Sequence, residues 1–300
     1  MKSLKKGFIS TSIIVASVLF VGCGSGGDDS SSSVSDVVSD TTPTSITTID
    51  EAKEASTVAE VALNQNFMNP TASSGMNLSI QNSIRAISKA PTLAESFSDT
   101  DTCSNGGSVS YSGDQYNGII TYNNCDEGYG VQNGSVTQSS TDNSATLKFQ
   151  GYSLSTGDIT TKLNMTVVLN DFDPNDLGSE NYTLNATVDG TIEATLSSNA
   201  TYKYAYQNFH TIKKTTTEGY QTSLDGTMIV STPCTSGVYN INTLSPLVYT
   251  GYSDYIDSGV LKINNATYTF YSPDVTIELD NGTTDTVSQD SLSENVECDI

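Results

Sequence analysis

The chain has no tryptophan, a single histidine, and only 12 lysines and arginines against 34 aspartates and glutamates in 300 residues. Each shortage excludes something. A Ser-His-Asp triad needs an imidazole held between a nucleophile and a carboxylate. The one candidate, His210, stands in Tyr202-Lys203-Tyr204-Ala205-Tyr206-Gln207-Asn208-Phe209-His210 with no acid beside it in the sequence, and reads as an exposed strand histidine. Zinc centres want closely spaced cysteines and histidines, and here neither the spacing nor the histidines exist. No glycine-rich phosphate loop opens a helix, and no cofactor is implied. A formal net charge of −22 with no basic patch repels phosphate backbones, which argues against nucleic acid as a partner.

Long apolar runs are also missing. The uncharged stretch from Phe8 to Val21 is about 14 residues, and a helix of that length covers only about 21 Å of a roughly 30 Å hydrocarbon core. It follows Met1-Lys2-Ser3-Leu4-Lys5-Lys6 and precedes Gly22-Cys23-Gly24. A basic start, a short apolar run and small residues at its end make a secretory signal. Phe20-Val21-Gly22-Cys23 resembles the lipobox of bacterial lipoproteins, with Phe20 where an aliphatic residue is commoner. The resemblance implies cleavage before Cys23, diacylation of its thiol and usually acylation of its new amino group, so that acyl chains such as palmitate hold the protein on a membrane. An ordinary cleaved signal is the alternative. Gly24, rather than Asp, after the cysteine implies the outer membrane of the cell envelope by the enterobacterial sorting rule. Loss of Lys2, Lys5 and Lys6 would leave a net charge of about −25.

Four segments are expected. Residues 1–22 are the signal peptide. Residues 23–47, rich in Ser, Thr, Gly and Asp, cannot bury enough apolar surface to offset ordering, and form a tether with a reach of roughly 25–30 Å. Residues 48–100 are helical. Thr48 and Glu51 make a capping-box pattern, and Ala52, Ala55, Ala59, Ala62 and Leu63 form a stripe running towards Phe67 before Asn69-Pro70. A second helix is expected over Met76–Lys89, stopped by Pro91. Both stripes are narrow, so the helices must pack on something.

Residues 101–300 form the antiparallel β domain. Composition shifts to Thr, Val, Ile, Tyr, Asn and Gly, and the apolar period drops to two. Ile159, Thr161, Leu163, Met165, Val167 and Leu169 alternate with polar neighbours, only Val168 breaking the pattern, and Tyr182, Leu184, Ala186, Val188, Ile192, Ala194 and Leu196 do so more cleanly. Asp189-Gly190 and Asp225-Gly226 look like hairpin turns, but the phase of the alternation continues through both. A two-residue hairpin would flip it. Each glycine is therefore expected inside one long strand, with turns near Gly128, Asp173-Pro174-Asn175, Ser198-Asn199, Glu218-Gly219 and Ser253-Asp254. The fold class is all-β: a long-stranded, curved antiparallel meander, an open sheet or half-barrel, with one or two N-terminal helices packed on one face.

Beyond Cys23 there are four cysteines. In an exported chain two disulfides are the natural reading, four free thiols the alternative. Cys103 and Cys125 lie symmetrically about Asp114 in Ser112-Gly113-Asp114-Gln115, as opposite ends of one hairpin would, so they are expected to pair. Cys234 is left with Cys298.

Asp171, Asp173 and Asn175 have the spacing of the first oxygens of a calcium loop. Glycine then falls at 178, and Tyr182 stands where a bidentate Glu belongs, so a polar hairpin is preferred. Asp280-Asn281-Gly282-Thr283-Thr284-Asp285 is a second, weaker candidate. Tyr202, Tyr204 and Tyr206 share a parity and would line one face, covering neighbouring strands or offering stacked rings to a glycan or an apolar partner. Cys103-x-x-Gly106-Gly107 with Asn124-Cys125, and Leu224-Asp225-Gly226-Thr227, loosely resemble the Thr/Asn-rich β domains of uncharacterised Gram-negative lipoproteins, which implies a fold and no chemistry. The function expected is that of a membrane-anchored, non-enzymatic binding or structural module. A carrier of an apolar ligand in a half-barrel is the first alternative and an extracellular hydrolase the second.

Overall fold

The computed structural model describes residues 42–64, 97–114, 116–128, 130–141, 144–171, 183–233, 235–251 and 255–292. The leader, Cys23, most of the tether, the Met76–Lys89 helix, Asp173, Asn175, Cys234 and Cys298 lie outside them.

Among the described residues one helix, α1 (Ile49–Asn64), precedes the sheet. Its start is the expected capping box. The Thr48 hydroxyl accepts the Glu51 N–H at 3.2 Å, and Glu51 Oε2 accepts the Thr48 and Thr47 N–H groups at 3.1 and 2.6 Å. These bonds and one from the Thr47 hydroxyl hold the Glu51 carboxyl below its usual range. Ala52, Ala55, Ala59 and Ala62 are buried. Small side chains let the helix axis lie close to the strands, and the Tyr268 hydroxyl donates to the Ala52 carbonyl at 2.6 Å.

Fourteen strands follow: β1 (Phe97–Thr102), β2 (Ser108–Gly113), β3 (Asn117–Asp126), β4 (Val131–Thr141), β5 (Ser144–Thr156), β6 (Ile159–Asn170), β7 (Thr183–Leu196), β8 (Thr201–Thr216), β9 (Gly219–Ser231), β10 (Ser236–Thr250), β11 (Ser258–Ile263), β12 (Ala266–Tyr271), β13 (Asp274–Leu279) and β14 (Thr284–Ser288). They form one open antiparallel sheet in sequence order. The all-β meander read from the alternation is the fold. Helix α1 packs on β10, β11 and β13 and on a short 3-10 turn, Gln289–Leu292.

Gly190 is inside β7 and Gly226 inside β9, as the unbroken phase requires. Among the expected turns, those at Gly128 and Ser198-Asn199 fall between strands, and Glu218 lies in the β8–β9 turn with Gly219 opening β9. Asp173-Pro174-Asn175 and Ser253-Asp254 are outside the described residues.

Cys103 and Cys125 form a disulfide with Cα atoms 5.4 Å apart. The pairing is the expected one, but the geometry is not. The β2–β3 ladder pairs Gly113 with Gly118 and Ser108 with Asn123, so its axis misses Asp114 and the cysteines are not cross-strand partners. Cys103 lies in the β1–β2 turn instead. That turn folds over the end of β3: Asn105 N–H donates to the Asp126 carbonyl at 2.8 Å and Asp126 N–H to the Gly106 carbonyl at 3.0 Å. A bulge at Asn124, with φ of 47°, then turns Cys125 inward.

The segment before α1 is fixed to the sheet by side chains that imitate a strand. Asn265 Oδ1 accepts the Ile46 N–H at 2.9 Å and its Nδ2 donates to the Ile46 carbonyl. Asn264 Nδ2 donates to the Thr44 carbonyl at 2.7 Å, and the backbones of Thr44 and Val238 bond directly. Both asparagines form the β11–β12 turn, where Asn264 takes the left-handed conformation its short polar side chain tolerates.

Candidate functional site

Strand β8 changes phase halfway. Tyr202, Tyr204 and Tyr206 face inward and are buried, but beyond Gln207-Asn208 the inward residues are Phe209, Thr211 and Lys213. The cause is a bulge at Asn208, whose φ is 47°. Register slips on both sides of β8: between Val188 and Gly190 of β7, and between Gln207 and His210 against β9. The two Asp-Gly pairs are the companions of this bulge. Asp189 Oδ1 accepts the Asn208 N–H at 2.6 Å. Gly226 lets the bulged chain come close, since a Cβ there would lie 2.6 Å from the Phe209 Cα. The pairs that resemble hairpin turns thus re-aim the second half of β8.

What the bulge turns inward is a cation. Lys213 is only 4% exposed, and its Nζ sits 4.2 Å from the centre of the Tyr220 ring. Tyr220 stacks on Tyr249 with ring centres 4.4 Å apart. Directly across the β8–β9 ladder from Lys213 is Thr222, 1% exposed, and Thr215 pairs with Tyr220. The Thr222 and Thr215 hydroxyls are buried without a hydrogen-bond partner. Burial pulls the Lys213 ammonium down to about 8. Other lysines meet carboxylates: Lys162 and Lys203 flank Glu193 at 3.4 and 3.7 Å, and Lys262 meets Asp280 at 3.2 Å. Chemically the Lys213 cluster offers one positive charge resting on an aromatic ring and two hydroxyls without partners. Sequence reasoning missed it because the parity of Tyr202, Tyr204 and Tyr206, carried on unbroken, puts Lys213 on the opposite face. The signal was present: the large rings step from 202, 204 and 206 to 209, which marks an inserted residue.

The residues singled out in the sequence are placed as follows. Tyr202, Tyr204 and Tyr206 do share a face, but it is the interior rather than an open one. Tyr206 packs edge-on against Phe209 at 5.3 Å, and burial pushes the Tyr204 hydroxyl up to about 12 and Tyr206 higher still. His210 is half-buried on the outer face, not freely exposed. Its Nε2 is 2.7 Å from Asn185 Oδ1, and its cross-strand partner is Asp225. The carboxylate that the local sequence did not supply therefore comes from β9. Burial raises the Asp225 carboxyl while the imidazole opposes that shift. Asp171 is exposed just past the end of β6 with φ of 52°; Asp173 and Asn175 lie outside the described residues. In the second acidic run, Asp280 is taken by Lys262, and Asn281 Oδ1 caps the turn at the Thr283 N–H. Cys103, Cys125 and Glu127 approach one another, but both sulfurs are spent in the disulfide and Glu127 accepts the Ser104 hydroxyl at 2.6 Å.

No family model, curated protein or solved structure matches the chain.

Proposed function

We propose that the protein is an exported lipoprotein, anchored through Cys23, whose body is a non-enzymatic binding module held clear of the membrane. The observation that carries this reading is the strap at Thr44 and Ile46. The Ser/Thr/Gly/Asp-rich stretch ends where Asn264 and Asn265 clasp the backbone, so tension from an anchor would enter the β11–β12 turn and leave the rest of the sheet unloaded. Among the described residues no helix is long and apolar enough to cross a membrane, and acyl chains on Cys23 would supply the attachment. The flush contact of the α1 alanines with the sheet favours a packed module over a carrier that must open a ligand cavity between helix and sheet.

Metabolic labelling of the host, or of a Gram-negative expression strain, with a palmitate analogue tests the anchor. The full chain should carry label and sediment with membranes, whereas Cys23→Ala should be unlabelled. A labelled Cys23→Ala chain, or an unlabelled wild type, overturns the proposal.

A further inference from the structure

Burying a charge is costly unless it is paired, and this chain has acids to spare for the purpose. Even so, Lys213 is 4% exposed with the face of Tyr220 as its neighbour, and it makes none of the ion pairs that hold Lys162, Lys203 and Lys262. The residues facing it across the sheet are Leu184 on β7 and Thr222 on β9, with Leu247 beyond, and none is a carboxylate. Thr222 and Thr215 add two hydroxyls without partners, where buried polar groups ordinarily have them. The three polar groups lie on neighbouring positions of the β8–β9 pair, and among the described residues no carboxylate answers them. The placement is also specific, because only the Asn208 bulge turns Lys213 inward.

We propose that Lys213, Thr222 and Thr215 form a binding site for a small monocarboxylate, beside the Tyr220 ring on which the ammonium rests. One cation with two hydroxyls matches a single negative charge spread over two oxygens. A phosphate dianion would call for further cations, and an acidic chain disfavours it. The site deepens the reading of the body as a binding module, but it is tested without reference to the anchor, so failure of one leaves the other standing.

The full-length protein, purified in a nonionic detergent, is melted at pH 7.0 in rising sodium acetate or sodium benzoate, with sodium chloride at equal ionic strength as reference. A ligand at about ten times its Kd should raise Tm by about 2–4 °C over the chloride reference. Lys213→Met should abolish that rise. Thr222→Val, which keeps the side-chain shape and so serves if the lysine variant does not fold, should weaken binding about five- to tenfold. The proposal is overturned if neither carboxylate raises Tm above chloride, or if the rise persists undiminished in either variant.

Discussion

Gly226 lies so close to Phe209 that a β-carbon on it would stand 2.6 Å from the Phe209 Cα, and Gly190 likewise faces Met165, whose Cα would be 2.5 Å away. At both, φ is in the range that side chains avoid, 143° and 127°. Gly226→Ala and Gly190→Ala should each cost about 2–4 kcal/mol, because the strain is joined by a clash with backbone that cannot move aside. Gly151 is the control: its φ of 55° is unfavourable to alanine, but no atom lies within 4 Å of its Cβ position, so Gly151→Ala should cost only about 1–2 kcal/mol. Urea midpoints of the three variants give the comparison. Equal losses at all three would mean that close approach of neighbouring strands is not what these glycines serve.

The same residues mark what could be read from the sequence. Alternation with period two was enough for the antiparallel meander and for keeping Gly190 and Gly226 within strands, because a strand buried on one side cannot slip by one residue without exposing its whole apolar set. The α1 cap was legible because Thr48 and Glu51 are three residues apart and bond locally. Lys213 was not, since its burial depends on a bulge at Asn208 held by Asp189 from one strand and admitted by Gly226 from another. The meeting of His210 with Asp225 was hidden for the same reason: register across a ladder is a long-range property.

The Cys103–Cys125 disulfide closes a loop of 22 residues. Cross-linking a loop of this size removes enough freedom from the unfolded chain to stabilise the fold by about 3 kcal/mol. Replacing both cysteines by serine should lower stability by roughly that amount, with amide exchange quickening mainly in β1 to β3. Non-reducing peptide mapping of the wild type should recover the 103–125 link, and it tests Cys234 with Cys298 as well.

Asn265 holds the Ile46 backbone at both its N–H and its carbonyl. Alanine leaves both groups without this partner at a half-buried position, a loss of about 1–3 kcal/mol. Asn265→Asp keeps the acceptor and loses the donor, so it should fall between alanine and wild type. Hydrogen exchange at Ile46 and in the first turn of α1 is the measurement. Unchanged protection there in Asn265→Ala would show that α1 is held by its alanine face alone.

The pH dependence of stability should carry the signature of Lys213. Its ammonium titrates near 8 in the folded protein, against 10.5 ordinarily. Between those values the unfolded chain binds more protons than the folded one, so stability must rise with pH across that window and be lowest below it. The buried phenols act in the opposite sense: Tyr204, Tyr206 and Tyr268 keep their protons above pH 10 only while folded, so stability falls again beyond that point. The gain is therefore visible from about pH 8 to 10, and amounts to about 1–3 kcal/mol after allowance for residual solvation. Lys213→Met should be more stable than wild type at pH 7 and should lose this rise, while keeping the alkaline fall. Urea unfolding of both proteins at pH 7, 8, 9 and 10, in buffers free of carboxylates, gives the difference curve. A flat difference would mean that Lys213 is solvated in the folded protein, and the need for an anionic ligand beside it would disappear.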